Sequence, residues 1–412
     1  MKVAVITIGC PKNEVDSKII ENYLSREGLK ITSPEKADIV IINTCGFIED
    51  AKKESIEEIF YWISKGKKVW VGGCLVERYK GKIESLINEV EGWFYLKDIR
   101  RLPKILKGLG HEDEGKLFLP NSEDIKGLNV DNSFYVKIAD GCDNRCNYCT
   151  IPIIRGPFRS RPLNDIMDEV KYLIDHGVFE LNIIAQDTTS YGKDVKEHNL
   201  VELIQSILSI DGDYLIRILY AHPAGITKEL IELIAKEEKI AKYIEMPIQH
   251  INENILTKMN RKGGKEAIIK AVQLIKDYGI FWRTTVLVGH PGETEETVEE
   301  LINFLTDSRP WRASVFAYSR EEGTVSFKMR APSKEKIHEW TSEVNEAVSL
   351  IMEEESRSIV GTIRKAIGTP RESRLDIQAP QIDGVILGNL PRGINWVMVE
   401  DSNFVDFKVS RL

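Results

Sequence analysis

The 412-residue sequence lacks any run of about 20 apolar residues, the length that a membrane-spanning helix needs. The apolar opening, MKVAVITIGC, is too short for a secretory signal, so the default expectation is a cytoplasmic protein with no membrane partner. Low-complexity tracts are also missing, and 42% hydrophobic with 29% charged residues is typical of globular chains. Basic excess is absent too: 56 Lys and Arg against 64 Asp and Glu give a net charge of −8, which argues against gripping nucleic acid as the main task.

Cysteine is scarce, with six in the whole chain, yet its placement is not random. Three of the six fall within DGCDNRCNYC (140–149), as Cys142, Cys146 and Cys149. In a reducing compartment, grouped cysteines more often bind metal or do redox chemistry than form disulfides. We therefore treat this loop as a candidate metal site.

Each of the other three cysteines ends an apolar, β-branched segment: VAVITIGC (3–10), DIVIINTC (38–45) and KKVWVGGC (67–74). Such runs are typical of strands buried on both faces of a parallel sheet. Because parallel neighbours end at one sheet edge, we expect Cys10, Cys45 and Cys74 to converge there as shared ligands. The alternative is that buried cysteines are simply common in strands.

Helical patterns separate these strands. Residues 14–27 show helical spacing that ends at Gly28, and a second helix is predicted over 50–64. The apolar residues of the second helix predict one buried face that carries Ile56, Ile59, Phe60 and Ile63.

A second series of strands and helices follows a linker expected over about 100–132, which contains HEDEG (111–115) and NSEDIKG (121–127). Its strand candidates are 134–139, 180–185, 214–220, 243–248, 284–289 and 313–318. About six βα repeats predict a partial (β/α)6 barrel, TIM-like, whose sites lie in the loops after the strands. DGCDNRCNYC occupies the loop after the first of these strands.

The predicted fold class is therefore α/β with three parts. An N-terminal parallel α/β domain is expected over 1–120 and the partial barrel over 128–358, the latter including a long helix over 333–358 capped by Ser333. Short strands broken by Gly and Pro predict a small all-β domain over 359–412.

Three thiolates suit soft metals or iron–sulfur clusters. A structural zinc site is normally closed by four protein ligands, and neither cysteine set offers a fourth cysteine. A cluster held by three thiolates leaves one iron open to a small molecule. A non-catalytic zinc or iron–sulfur protein remains the alternative from a different class.

The CxxxCxxC spacing of Cys142, Cys146 and Cys149 at the mouth of a partial barrel resembles the radical S-adenosylmethionine enzymes, and Tyr148 matches the aromatic residue before their third cysteine. The resemblance implies that these three cysteines are catalytic. They would hold a [4Fe–4S] cluster whose open iron binds S-adenosyl-L-methionine, and electron transfer would then release a 5′-deoxyadenosyl radical.

Further motifs resemble one branch of that superfamily, the methylthiotransferases. They are GCPKNEVDSK, NTCGFIEDAK, GGCLVERY, AQDTTSYG (185–192), PIQH (247–250), RTTVLVGHPGETEE (283–296) and AYSREEGT (317–324). The resemblance implies a second [4Fe–4S] cluster on Cys10, Cys45 and Cys74 that supplies sulfur. His290 departs from the phenylalanine usual in this family.

Within that family the chain is most similar to the enzymes that modify the β-carbon of an aspartate on a small-subunit ribosomal protein. A ribosomal protein substrate and an electron donor are the implied partners, and a tRNA adenosine methylthiotransferase is the alternative. The tail resembles the family's TRAM domain, but its charge is close to balanced, so nucleic acid contact is expected to be secondary.

Four more residues are candidate contacts to the cofactor. Gln186 and Asp187 end the second barrel strand, where they either face the cofactor or, for Asp187, cap the next turn. Arg283 is expected to pair with the cofactor carboxylate or to form a surface ion pair. Gly289 either serves turn chemistry or allows close approach to adenine.

Three arginines after the cysteine loop, Arg155, Arg159 and Arg161, give this stretch a local basic excess. A solvated loop is the default interpretation, and steering of an acidic substrate is the alternative. His222 and His250 end strands on the expected active face and are assigned no role.

Overall fold

The chain forms three main sheets, seen in a computed structural model that describes residues 1–109 and 117–412. The predicted linker motif HEDEG lies outside the described residues. The linker prediction is wrong for NSEDIKG, where Asn121 caps a short helix over Ser122–Ile125 by accepting from the Asp124 N–H. The helices of the described ranges include none that is both long and apolar enough to cross a bilayer.

The first sheet has five parallel strands in the order β2-β1-β3-β4-β5. The strands are β1 (Lys2–Thr7), β2 (Lys30–Ile31), β3 (Ile39–Thr44), β4 (Lys68–Gly73) and β5 (Gly92–Trp93). The helices are α1 (Pro11–Arg26), α2 (Glu49–Ser64), α3 (Cys74–Tyr79), α4 (Lys82–Leu86), α5 (Leu102–Leu106) and α6 (Ser122–Ile125). Alternate residues of β3 join two hydrophobic clusters, one with α1 and one with α2, so the strand is buried on both faces as predicted.

The buried face of α2 differs from the prediction. Ile59 is buried, but its intended neighbours Ile56 and Phe60 are 36% and 44% exposed, and Trp62 and Ser55 take their place. Trp62 offers more apolar area than isoleucine, and Ser55 donates to the Cys45 carbonyl. The buried face of α2 is therefore set by these tertiary contacts and differs from the face that the apolar spacing alone predicts.

The second sheet is an open six-stranded parallel array in the order β13-β12-β11-β10-β9-β6, which confirms the partial barrel. Its strands are β6 (Ser133–Lys137), β9 (Glu180–Ile184), β10 (Leu215–Ile218), β11 (Ile240–Glu245), β12 (Phe281–Val288) and β13 (Arg312–Ala317), while β7 (Ala139–Asp140) and β8 (Arg159–Ser160) form a separate pair. The helices are α7 (Ile151–Arg155), α8 (Leu163–Asp175), α9 (Leu200–Leu208), α10 (Lys228–Lys236), α11 (Glu253–Lys258), α12 (Gly264–Asp277), α13 (Glu295–Ser308) and α14 (Lys334–Ser358).

Two details of this unit bear on the predictions. Strand β11 begins at Ile240 rather than at residue 243, because the Lys242 ammonium reaches the Ile234 and Glu237 carbonyls and leaves the lysine stem within the strand. Helix α14 begins after Ser333, whose hydroxyl accepts from the Lys336 N–H, as predicted.

The third sheet is antiparallel, in the order β15-β14-β16-β17. Its strands are β14 (Ile363–Gly368), β15 (Ser373–Leu375), β16 (Gly393–Asn403) and β17 (Asp406–Arg411). This small sheet docks on the barrel through buried ion pairs: Arg374 binds Glu180, and Arg283 binds Asp383 at 2.5 Å. Tyr243 also donates to Asp383 at 2.8 Å.

Candidate active site

The first set of cysteines lies at the carboxyl edge of the N-terminal sheet. Cys10, Cys45 and Cys74 follow β1, β3 and β4, which are adjacent in the sheet. Gly9 has φ +101°, and a Cβ there would lie 3.0 Å from Cys45 Sγ, so only glycine lets the first loop pass this close to the second cysteine. The strand order therefore brings the three loops together as expected.

Asn13, the third residue of α1, ties these loops to one another. Its amide nitrogen donates to the carbonyls of Ile8 at 2.9 Å and Thr44 at 3.0 Å. Its Oδ1 lies 3.4 Å from Cys74 Sγ, and its backbone N–H donates to the Cys10 carbonyl at 2.8 Å. One buried side chain thus contacts all three strand ends.

The thiols differ in their electrostatic surroundings. Burial, with the neighbouring Cys74 adding to it, raises the pKa of Cys45 to about 12, and burial also raises the pKa of Cys74. For Cys10, burial raises the pKa, but the Lys12 ammonium and the Asn13 N–H lower it more, so the net shift is downward. Such thiols ionise fully only beside a cation, which a bound metal centre would supply.

The second set, Cys142, Cys146 and Cys149, lies in the loop between β7 and α7 at the carboxyl end of the barrel. The Cys149 N–H donates to the Cys146 carbonyl at 3.0 Å, and the Arg261 guanidinium lies 3.8 Å from Cys146 Sγ. Burial raises the pKa of Cys142 to about 11 and also raises that of Cys149.

A loop after α11 holds this cysteine loop in place. Asn147 donates to the Lys258 carbonyl at 2.8 Å, and Asn260 donates to the Arg145 carbonyl at 2.9 Å. Arg145 has φ +51°, a conformation that these contacts stabilise.

All six cysteines are free, and each set offers three thiols without a fourth. Over the described part of the chain, no three His, Cys, Asp or Glu side chains are arranged to hold one metal ion. A single zinc ion needs its sulfur ligands within about 2.3 Å of one point, whereas a cluster spreads its ligands over several irons. The donor set fits a three-cysteine cluster, with soft anionic ligands from loops that end on one edge.

Arg155 links the two sets. It follows the third barrel cysteine on α7, yet its guanidinium reaches Cys74 Sγ at 3.3 Å and Asn13 Oδ1 at 2.6 Å. It also binds Asp16 at 2.7 Å and Asp140 at 3.2 Å. The expectation of a solvated or substrate-steering arginine is wrong here, because two buried carboxylates draw this charge into the boundary between the domains.

The other two arginines of that stretch are also occupied. Arg161 binds Glu169 at 2.6 Å and Asp165 at 2.7 Å, and it is buried. Arg159 donates to the Leu117 carbonyl at 2.9 Å. The solvated-loop and steering interpretations are therefore wrong for Arg161, whereas Arg159 is half-buried and pairs with no carboxylate among the described residues, so its steering role stays a prediction.

Contacts beside both cysteine sets close the boundary between the domains. The Thr150 hydroxyl, next to Cys149, donates to the Phe47 carbonyl at 3.4 Å. Farther along, Glu321 of the barrel binds Arg78 at 2.6 Å and Lys52 at 2.9 Å. The two cysteine-bearing edges therefore face each other.

Gln186 and Asp187 both contact groups of this site. Gln186 donates to Asp140 at 2.7 Å, while its Oε1 is buried without a hydrogen-bond partner among the described residues. Asp187 accepts from Asn144 of the cysteine loop at 2.7 Å and from Thr189 of the following turn at 2.6 Å. The carboxylate thus caps the turn and also fastens the cysteine loop.

Arg283 and Gly289 have protein partners in the structure. Arg283 pairs with Asp383, in the segment between β15 and β16, and this ion pair is buried rather than on the surface. The predicted contact of Arg283 with a cofactor carboxylate stays a prediction. Gly289 has φ +90°, and a Cβ there would lie 2.6 Å from Ile337 Cγ1 of α14. Its predicted approach to adenine likewise stays a prediction.

Tyr148 and three histidines nearby contact other protein groups. Tyr148 makes an edge-to-face contact with His290, whose Nε2 lies 2.8 Å from the Ser326 hydroxyl. His222 and His250 each accept a backbone N–H through Nδ1. Burial lowers the pKa of each of the three histidines, to about 3 for His222 and His250 and about 4 for His290, so they are neutral at pH 7.

Sequence reasoning missed Lys12, Asn13 and Arg261. Lys12 is 7% exposed, and its Nζ lies 3.1 Å from the centre of the Tyr220 ring. Burial lowers the pKa of Lys12, while Cys10 and Glu245 oppose that shift. Proximity of Lys12 and Asn13 to Cys10 along the chain was the available signal, whereas nothing near Arg261 in sequence points to a cysteine.

Two family descriptions match the chain. The Radical SAM superfamily matches residues 136–305, which include the second cysteine set. Uncharacterized protein family UPF0004 matches residues 2–94, which include the first set.

Curated relatives match nearly the whole chain. "Ribosomal protein uS12 methylthiotransferase RimO" of Carboxydothermus hydrogenoformans is 40% identical over 94% of this chain and 92% of that protein. The protein of the same name from Thermosipho africanus is 39% identical over 99% of both chains.

Solved structures share the fold at low identity. The radical S-adenosylmethionine methyltransferase TsrM from Kitasatospora setae has a TM-score of 0.56 and 17% identity, over 77% of this chain and 74% of that one. The cobalamin-dependent S-adenosylmethionine radical enzyme OxsB has a TM-score of 0.54 and 13% identity, over 85% of this chain and 56% of that one. With relatives this similar along almost its whole length, the chain belongs to the RimO family of radical S-adenosylmethionine methylthiotransferases.

Proposed function

We propose that this transferase inserts a methylthio group at the β-carbon of an aspartate on ribosomal protein uS12, the protein that its relatives' names specify. The observation that carries the proposal is the pairing of two three-cysteine edges across one domain boundary, bridged by Arg155. Sulfur insertion needs a sulfur source beside the activated carbon, and facing edges provide for both.

The family implies S-adenosyl-L-methionine and a [4Fe–4S] cluster. We assign that cluster to Cys142, Cys146 and Cys149, and a second cluster to Cys10, Cys45 and Cys74. When bound, the first supplies the electron that cleaves S-adenosylmethionine to the hydrogen-abstracting radical, and the second supplies the sulfur.

The protein's own residues position these parts. Arg261 places a positive charge 3.8 Å from Cys146 Sγ. Asp187 holds the cysteine loop through Asn144, and Gln186 leaves a buried carbonyl oxygen free to accept from a polar group of the cofactor. Tyr148 and Gly289 complete the proposed cofactor contacts. Arg283, whose guanidinium also pairs with Asp383, stays a proposed contact to the cofactor carboxylate.

The test is activity of the anaerobically reconstituted protein with reductant and S-adenosylmethionine. Small ribosomal subunits or a uS12 peptide should gain the mass of a methylthio group on aspartate, and tRNA should not. Modification of tRNA adenosine instead would overturn the proposed substrate. An electron donor is needed in the cell, and contact with ribosomal RNA is expected to be secondary.

Two variants separate the roles of the cysteine sets. Cys146→Ala should abolish 5′-deoxyadenosine formation, whereas Cys45→Ala should retain it and lose sulfur insertion. Loss of 5′-deoxyadenosine in Cys45→Ala with its barrel cluster intact would contradict the division of labour.

A further inference from the structure

Among the described residues, Lys12 is a buried cation with neither a carboxylate nor a thiol sulfur within hydrogen-bond distance of its ammonium. Its side chain is more than nine-tenths buried. Within residues 1–109 and 117–412, no carboxylate lies within 4.0 Å of its Nζ, and the ammonium donates no hydrogen bond. Its close contact is the face of the Tyr220 ring, 3.1 Å from Nζ to the ring centre. Burying a lysine without a paired anion is costly, so its retention calls for a ligand.

The other buried cations at this boundary have carboxylate partners, in contrast to Lys12. Arg155 and Lys137, also buried at this boundary, both share the carboxylates of Asp16 and Asp140 at 2.7–3.2 Å. Two cations and two anions cancel there, so no carboxylate of that group is left over for Lys12. Cys10 and, more weakly, Glu245 attract Lys12 electrostatically, but neither lies within hydrogen-bond or ion-pair distance of its ammonium. Glu245 Oε2 instead lies 3.4 Å from the Tyr220 N–H.

The position of Lys12 matches a substrate site. It is two residues from Cys10, while Tyr220 lies two residues beyond the carboxyl end of β10. The ammonium therefore lies between the sulfur-bearing edge and the mouth of the barrel. A group held there lies between the proposed sulfur source and the proposed radical source.

We infer that the Lys12 ammonium binds a carboxylate on the substrate side chain that receives the methylthio group, an inference that rests on the proposed function. A single ammonium suits one carboxylate, and a charge-assisted hydrogen bond in a dry site discriminates strongly against a neutral isostere. Lys12 is thus a specificity-determining residue for an acidic side chain.

The experiment compares two uS12 peptides, one with the target aspartate and one with asparagine at that position. Binding to the reconstituted protein is measured by fluorescence anisotropy, and kcat and KM are measured for both peptides. The unchanged protein should prefer the aspartate peptide by about tenfold or more, as expected for one charge-assisted bond. Lys12→Met should bind both peptides equally, with the loss in KM, and Lys12→Arg should restore the preference.

Matched variants keep this test decisive. Lys18→Met removes another lysine of α1, one that lies 3.7 Å from Asp131, and should leave the preference unchanged. Lys12→Gln is a second neutral variant, and iron and sulfide content establishes that each variant is loaded. If a loaded Lys12→Met or Lys12→Gln protein keeps the full aspartate preference, the inference is overturned while the proposed function stands. If the unchanged protein modifies neither peptide nor small subunits, the proposed function fails and the inference falls with it.

Discussion

Glu180 shows how a single residue can carry the contact between two units. Its carboxylate accepts from both terminal nitrogens of Arg374 and from Arg217 at 3.1 Å, in a fully buried position. Burial alone would raise the pKa of Glu180, but the two guanidinium groups lower it to about 2. The charge is therefore present throughout the physiological pH range.

Glu180→Gln should lower the free energy of unfolding by about 3–5 kcal/mol, because two buried guanidinium groups lose their counter-charge. The measurement is the denaturation midpoint with fluorescence detection. Glu354→Gln, which removes an exposed partner of Arg309, is the control and should change little. Equal midpoints for Glu180→Gln and the unchanged protein would contradict the docking role.

At this scale the sequence predicted which cysteines matter but not their neighbours. The spacing of Cys142, Cys146 and Cys149 is visible in one loop, whereas Arg261 lies more than a hundred residues away from Cys146. Arg155 looked solvated because its two carboxylate partners, Asp16 and Asp140, come from different domains. Contacts of this kind depend on the packing of domains, which local patterns do not encode.

Among the elements, the turn after β12 packs closely against helix α14. Gly289→Ala should destabilise the protein, because the residue has φ +90° and the added Cβ would lie 2.6 Å from Ile337 Cγ1. We expect a loss of about 2–4 kcal/mol from backbone strain and overpacking together. A double-mutant cycle with Ile337→Ala should recover the packing part only. Full additivity of the two substitutions would contradict the contact.

The same turn should give a pH-dependent stability. Glu293 accepts the N–H groups of Gly289 and His290, each at 2.9 Å, but burial raises its pKa to about 7. The folded protein therefore holds this proton more tightly than the unfolded chain does, so stability falls as pH rises from about 4.5 to 7. The free energy of unfolding of the unchanged protein minus that of Glu293→Gln should fall by up to about 3 kcal/mol over that range. A rise of this quantity with pH would contradict the raised pKa.

Strands were easier to predict from sequence than helix faces. Runs such as VAVITIGC are apolar on both sides, and the structure buries both faces of β3 in separate clusters. In α2, by contrast, Trp62 and Ser55 outcompete Phe60 for the buried face, because a helix can rotate by one position without losing its apolar pattern. Local periodicity predicts that a helix exists more firmly than it predicts its orientation.

For the whole molecule, the relation between the two cysteine edges decides whether sulfur can meet the substrate radical. Glu321 is a buried carboxylate that joins the two domains, since it binds Arg78 at 2.6 Å and Lys52 at 2.9 Å. Glu321→Gln should weaken these two ion pairs and leave both cysteine sets unchanged. We expect methylthiolated product per 5′-deoxyadenosine to fall several-fold, while 5′-deoxyadenosine formation without substrate is unchanged.

The control for this prediction is Glu91→Gln, which removes an exposed pair with Lys68 inside the N-terminal domain. Its product ratio should match that of the unchanged protein. An unaltered product ratio in Glu321→Gln would show that the relation between the two cysteine edges does not depend on these ion pairs.

The docking of the C-terminal sheet is the part of the architecture that sequence could not supply. A nearly neutral tail offers no obvious partner, but the structure buries its charges in pairs: Arg374 with Glu180 and Asp383 with Arg283. These partners are 194 and 100 residues apart, so only the folded chain shows them.

The central claim is that both cysteine sets hold a cluster, and iron and sulfide content tests it most directly. The anaerobically reconstituted protein should contain about eight irons and eight sulfides per chain, as two [4Fe–4S] clusters require. Replacing Cys10, Cys45 and Cys74 together by alanine should leave about four of each, and so should replacing Cys142, Cys146 and Cys149. A value of about four in the unchanged protein, retained when Cys10, Cys45 and Cys74 are replaced, would contradict the two-cluster account.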